Sequence, residues 1–304
     1  MNLKLTVSLL MLLLVLPCVA HSQTPAPTPT PAPSPPASEI FVASLDARGD
    51  SLKVGAPKSI TTWRGYNNQP SFLSDGRALL YTSIRADGQA DIYRHDLHTG
   101  DSMRLTETTE SEYSPTQTPD GRFFSVIRVE RDGTQRLWKF PLGGGQPTLV
   151  LERIKPVGYH AWIDARRLAL FVLGEPNTLQ LADTRTQQGQ TLAQNIGRSI
   201  HRVPRSNRFS FVHKVSESEW LIKTYDTRTR AIETLVRTLP ASEDYAWTPR
   251  GVLLMAKDSK LFQLDPVRER EWREVADFAA QGIGRITRIA VSRRGDRVAF
   301  VVQR

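Results

Sequence analysis

Gln69-Pro70-Ser71-Phe72-Leu73-Ser74-Asp75-Gly76-Arg77-Ala78-Leu79-Leu80-Tyr81-Thr82-Ser83 recurs in degraded form along the chain, about every 44 residues. The next copy runs from Ser114-Pro115 through Pro119-Asp120-Gly121-Arg122 to Ile127. Aligning the turn position gives Gly76, Gly121, Arg166, Asn207, Gly251 and Gly295, spaced 45, 45, 41, 44 and 44 residues apart. A fixed period of this length marks a repeat architecture, in which one supersecondary unit buries its apolar face only against its neighbours.

Each copy has the same anatomy. A bulky apolar residue stands four positions before the turn: Phe72, Trp162, Val203, Trp247 and Val291, with Gln117 as the exception. The turns carry Asp-Gly, Ser-Asn or Arg-Gly, residues that tolerate positive φ and close tight hairpins. An apolar strand follows, such as Ala78–Tyr81 or Val298–Val301. About 16 residues past the turn comes a third, as in Asp91-Ile92-Tyr93-Arg94 and Lys260-Leu261-Phe262-Gln263. A fourth short strand ends the unit, for example Ser102–Leu105. Apolar and polar residues alternate through many of these runs, the period of half-buried strands. Four short antiparallel strands per repeat describe a propeller blade.

The last turn, Arg294-Gly295, has only one strand after it. The missing partners stand at the other end, as Glu39–Leu45 and Ser51–Val54. Five whole blades and one assembled from both termini predict an all-β, six-bladed propeller over residues 39–304. Closing the ring this way pairs edges that would otherwise stay open. A β-sandwich or open solenoid is the alternative, but an open array has no reason to start and stop inside a repeat.

Residues 1–22 read as a secretory signal: Lys4, an apolar run from Val7 to Leu16, then small residues, with cleavage after Ala20 or Ser22. The run is short for a membrane span. Cys18, the one cysteine, has two readings. It is lost with the signal, or it is lipidated as in a bacterial lipoprotein box, from which Val15-Leu16-Pro17 departs. The expectation is a periplasmic or secreted protein, with a lipid anchor as the second form. Residues 23–38 are a Pro-rich linker; at roughly 3 Å per residue, an extended Thr24–Ser38 would span about 40–45 Å.

The net charge is +9, which favours anionic partners such as acidic glycans or lipids. Export argues against nucleic acid. The densest basic run is Arg285, Arg288, Arg293, Arg294 and Arg297, on the closing blade. There is no Gly-x-Ser-x-Gly elbow, no zinc helix and no P-loop. Asp87-Gly88 and Asp132-Gly133 lack the further acidic ligands of calcium loops, and no cofactor or metal is expected. Six residues before each turn stand Pro70, Pro115, His160, His201, Tyr245 and Ile289. The strand before that turn is innermost in a propeller, so His160, His201 and Tyr245, with Tyr113, Tyr159, Asp244 and Arg288 near the same level, form a candidate partner site at the channel mouth. The competing reading has these side chains filling gaps between blades.

Pro70–Arg77, Asp91-Ile92-Tyr93-Arg94-His95-Asp96-Leu97 and Arg104-Leu105-Thr106 together resemble the repeat of the TolB-type β-propeller family. The first blade matches closely, the second through Pro119–Arg122, and the rest are eroded. The resemblance implies a non-catalytic scaffold in the bacterial cell envelope that holds a protein partner. The chain departs from TolB itself in having only a leader and spacer before Glu39. A second function stays open: an enzyme built like six-bladed lactonases, which place carboxylates around a divalent metal, with Glu112, Glu243 and Asp244 as its acidic candidates. The third is a binder of anionic glycan or lipid.

Overall fold

The computed structural model describes residues 35–48 and 51–304. The signal at 1–22, Cys18 and the linker up to residue 34 lie outside the described residues.

Six antiparallel sheets surround a central axis, each in the order first to fourth strand from the axis outward. Blade 1 is Asn67–Phe72, Ala78–Ile84, Ala90–Asp96 and Ser102–Arg104. Blades 2 to 5 repeat this plan and end at Thr148–Leu149, Gln188–Gln194, Ile232–Arg237 and Arg273–Asp277. Blade 6 takes Arg285–Val291 and Arg297–Gln303 from the C-terminal part, and Ser38–Asp46 and Lys53–Val54 from the N-terminal part. Ser38–Asp46 pairs with Arg297–Gln303 from Ser38 opposite Gln303 to Ser44 opposite Arg297. Lys58–Ser59 adds a short strand at Phe41 and Val42. The predicted six-bladed, two-ended closure is the fold.

There is no single central core. Apolar side chains form six clusters, one in each gap between neighbouring blades. Ala78, Leu80 and Ile92 of blade 1 meet Phe124, Val126 and Phe140 of blade 2. Ile40, Ala299 and Val301 of blade 6 meet Leu79, Tyr81 and Tyr93 of blade 1. A strand buried on both faces needs an unbroken apolar run, which is why the second strands read as Ala78-Leu79-Leu80-Tyr81 and Val298-Ala299-Phe300-Val301.

The inner turns correct one expectation. Gly76, Gly121, Gly251 and Gly295 all sit at positive φ, but Arg166 and Asn207 do not. In blade 3 the Asp164 carboxylate accepts the Arg166 and Arg167 amides and closes the turn without a left-handed residue. In blade 4 the left-handed residue is Arg205, at φ 56°. The closing bond there, Val203 N–H to Arg208 O, matches Leu73 N–H to Ala78 O in blade 1. Ser206, not Asn207, is therefore the equivalent of Gly76.

Gln117, the odd residue in the apolar column, has its own work. Its side-chain oxygen accepts the Ser74 amide at 2.7 Å, stapling the blade 1 turn to blade 2.

Two other gaps are held by a repeated polar device. Ser210 of blade 4 accepts hydrogen bonds from Tyr245 Oη at 2.8 Å and Trp247 Nε1 at 2.9 Å, and donates to the His201 carbonyl. Ser125 of blade 2 likewise accepts Trp162 Nε1 at 2.9 Å and donates to Thr116 O, with His160 Nε2 at 2.7 Å. A buried donor left without an acceptor costs about 1–3 kcal/mol. Ser210→Ala strands two donors and should lower stability by about 2–4 kcal/mol on the same reasoning. Denaturant unfolding checks this, and in Ser210→Ala/Trp247→Phe the two losses should sum to less than the singles predict.

Candidate functional site: the channel mouth

Five of the six inner strands break register near their starts, at Asn68/Ser71, Tyr113/Thr116, Val157/Tyr159, Ile196/Ile200 and Ile286/Arg288. A bulge re-aims side chains and often marks a site. Here the bulged segments supply a polar layer at one end of the axis.

Asp244 of blade 5 is its centre. Arg198 of blade 4 approaches it with two nitrogens, one of them Nε at 3.2 Å. Ser199 Oγ donates to Asp244 at 3.2 Å, and Arg288 Nη1 of blade 6 lies at 3.3 Å. Arg288 Nη2 donates to Tyr159 Oη of blade 3 at 3.0 Å, with the guanidinium 5.1 Å from that ring's centre. Blades 3 and 6 stand opposite each other in a ring of six, so this bond crosses the axis. Glu243 accepts the Arg198 amide and pairs with Lys214 at 3.2 Å. Tyr66, just before blade 1, lies within electrostatic reach of Arg288, Tyr159, Tyr113 and Arg198.

Burial opposes the charge on Asp244, but Arg288 and then Arg198 outweigh it and hold the carboxyl below its ordinary range. Burial also opposes the Arg198 charge, and Asp244 holds that guanidinium protonated above its ordinary range. Burial pushes the Tyr66 phenol up to about 12, so it stays a neutral donor. Arg198, Arg288 and Lys214 against Asp244 and Glu243 leave one positive charge in excess.

Of the residues singled out from sequence, Tyr159, Asp244 and Arg288 come together by direct hydrogen bonds, and Tyr113 stands at the same level. His160 and Tyr245 are placed in the gaps between blades, on Ser125 and Ser210. Burial lowers His160 to about 3 and raises Tyr245, so both are neutral. His201 packs edge-on against Tyr245 at 4.8 Å with part of its surface exposed; burial, opposed by Asp244, lowers it to about 4. Glu112 is fully buried on Arg128 and Thr108. Glu243 and Asp244 are both engaged by Arg198. Among the described residues, no group of three or more His, Cys, Asp or Glu side chains is placed to share one ion.

Arg198 and Tyr66 were missed in the sequence. With Asn207 taken as the fourth turn, Arg198 falls nine places before it; with Ser206 it falls eight before, where Tyr113 stands relative to Gly121. Tyr66 precedes the first recognisable repeat strand.

With this geometry in view, the likeness to known structures is informative. A putative TolB from Agrobacterium tumefaciens superposes with a TM-score of 0.63, at 16% identity, covering 89% of this chain and 99% of that one. TolB from Acinetobacter baumannii gives 0.56, at 15% identity, covering 87% of this chain and 63% of that one. The fold is a TolB-like propeller. An oligogalacturonate lyase from Vibrio parahaemolyticus also matches, with a TM-score of 0.50 at 13% identity over 86% of this chain and 96% of that one. The TolB-like fold is thus shared with an enzyme, and function has to be argued from the site. No family model matches. An uncharacterized protein of Agrobacterium fabrum is 30% identical over 112 residues, 36% of this chain, and the match spans about a third of that relative, 34% of its length.

Proposed function

We propose that the chain is an exported, non-catalytic binding module of the bacterial cell envelope that receives a protein partner at the channel mouth. One observation carries this: bulged inner strands bring tyrosines and arginines from around the ring to a single layer, the residue types that dominate binding hot spots. Arg288 and Arg198 are pre-positioned by Asp244, so a partner meets fixed donors and loses little side-chain entropy in gaining them. The repeat resemblance and the leader sequence support the envelope location.

The test is site-directed photocrosslinking in cells, with the crosslinking residue in place of Tyr113 and, as control, of Arg153 on an outer surface. The expected result is one discrete adduct from position 113 only, lost in Tyr159→Ala and Arg288→Ala proteins that keep the wild-type unfolding midpoint. Equal adducts from both positions, or none from 113, would overturn the reading.

A further inference from the structure

At the opposite end of the strand containing Arg198, blade 4 presents a different surface. The strand Ile196–Arg202 ends at Arg202, and the turn to the next strand carries Arg205 and Asn207. The turn between the third and fourth strands carries Arg228, Thr229 and Arg230. Thr227 N–H donates to Asn207 O at 3.1 Å, binding the two turns side by side. Between them opens a concavity of about 570 Å³ lined by Ser206, Asn207, Arg208, Asp226, Arg228 and Thr229.

Arg202, Arg205, Arg228 and Arg230 are all exposed, and none has an ion pair or side-chain hydrogen bond among the described residues. Blade 4 is set apart by gathering four such arginines on two adjoining turns, where blades 1, 3 and 6 have fewer. On the same face Arg166 pairs with Asp183, Arg167 with Asp164, Arg94 with Asp96, and Arg250 donates to the Ala47 carbonyl. The acids nearest the blade 4 turns are already engaged: Asp226 accepts the Arg228 and Thr229 amides and pairs with Arg208, which also takes Glu233. The basic run at 285–297 forms no such patch. Arg285 and Arg288 lie at one end of their strand and Arg293, Arg294 and Arg297 at the other, where Arg297 donates to the Gly76 carbonyl.

Two of the four arginines occupy left-handed backbone, Arg205 at φ 56° and Arg230 at φ 64°. The first turns of blades 1, 2, 5 and 6 place glycine at positive φ one position later, and in the turn before the fourth strand the positive-φ residues are Gly100 in blade 1, Gly144 and Gly145 in blade 2, and Gln187 in blade 3. A side chain there is conformationally unfavourable, so arginine at both positions is a choice against local stability.

We propose that the two turns of blade 4 form a binding surface for an acidic polysaccharide chain, with the four arginines on its carboxylate, sulfate or phosphate groups. Guanidinium forks match such planar or tetrahedral anions bidentately. The Asn207 amide and the hydroxyls of the lining threonine and serine suit sugar hydroxyls. The nearest exposed large apolar side chain, Ile232 at 41%, opens the fourth strand and stands alone, where a surface that enters a bilayer presents a whole apolar face, and this favours a glycan over a lipid surface.

The experiment measures binding of polygalacturonate to the full chain, with neutral dextran and phosphatidylglycerol vesicles as the other arms. Polygalacturonate should bind, dextran should not, and affinity should fall steeply from low to physiological salt as the charges are screened. Replacing all four arginines by alanine should weaken binding about tenfold or more, the scale on which a focused field acts. Removing the same charge from the dispersed, unpaired Arg77, Arg153, Arg185 and Arg293 should change it little. Arg205→Gly/Arg230→Gly should move the two readouts apart, raising the unfolding midpoint while lowering affinity. Equal loss in both quadruple variants would reduce the effect to net charge and overturn the site. So would vesicle binding that depends on the blade 4 arginines while polygalacturonate fails to bind.

Discussion

A chain from which Ser38–Asp46 is deleted should show no cooperative unfolding transition. This segment is the third strand of blade 6, and removing it opens the ring along the whole edge of Arg297–Gln303. It buries Ile40, Ala43 and Leu45, and with Leu52 behind it closes the gaps to blades 1 and 5. Truncating one such core side chain costs about 2–5 kcal/mol. Losing Ile40 and Leu45 outright, with Ala43 and a full ladder of strand hydrogen bonds, exceeds the roughly 5–15 kcal/mol by which a domain is normally stable. The deleted chain should bind a dye for exposed apolar surface and show no sigmoidal denaturant transition by near-UV circular dichroism. Adding a peptide of sequence 35–48 in trans should restore part of the signal, because the acceptor edge survives. A sharp transition at the wild-type midpoint without the peptide would mean the ring does not depend on this closure.

The second large effect concerns Glu112 and Arg128, between blades 1 and 2. Glu112 is 0% exposed and Arg128 5%. Arg128 Nε lies 3.1 Å from Glu112 Oε1, Thr108 donates to the same oxygen at 2.6 Å, and Arg128 rests over Trp138 at 4.4 Å. Glu112 Oε2 and Arg128 Nη2 are buried without partners. Breaking a buried pair by removing one member typically costs about 3–5 kcal/mol, because the other charge is left stranded. Arg128→Met should lose about that much at pH 8, keeping the packing but not the charge.

The pH dependence has a definite sign. Burial pushes the Glu112 carboxyl up to about 7, against the opposing pull of Thr108 and Arg128. A folded-state value above the unfolded one means the native state binds more protons. Stability from this group is therefore full below the ordinary carboxyl range and lost as pH rises through about 7. Arg128→Met should accordingly be less damaging at pH 5.5 than at pH 8, and Glu112→Gln should flatten the slope between about 5 and 7. Parallel wild-type and Glu112→Gln slopes would assign the pH dependence to other groups.

The fold was legible because turn chemistry is local. An Asp-Gly or Arg-Gly pair with an apolar run behind it reports a hairpin whatever surrounds it, and four of them, with Ala165-Arg166 and Ser206-Asn207 filling the two places between at about the same spacing, report a ring. The site was legible only in part. Tyr159, Asp244 and Arg288 fell on one level by counting back from the turns, since blades 3, 5 and 6 keep the same seven-residue distance between that side chain and the turn. Blade 4 does not, because its left-handed residue is Arg205 and its turn begins at Pro204. A shift of one residue hid Arg198. Ser125 and Ser210 were invisible for another reason. A serine within an apolar strand carries no periodic signal, and its role depends on Trp162 and Trp247 of the next blade. Gln117 looked like an exception in the apolar column because its partner is a backbone amide.

The pairing of Ser38–Ser44 with Arg297–Gln303 also has a consequence in time. Its partners lie more than 250 residues apart along the chain, and contacts of such long sequence separation form slowly, after the entropy of bringing the ends together has been met. Blades 1 to 5 can each assemble from neighbouring residues, but the gaps flanking blade 6 cannot close before Arg297–Gln303 arrives. Until that moment the apolar faces of blades 1 and 5 are bare. The vulnerable species is an almost finished ring, and a folding experiment should find its slowest phase at this last joint.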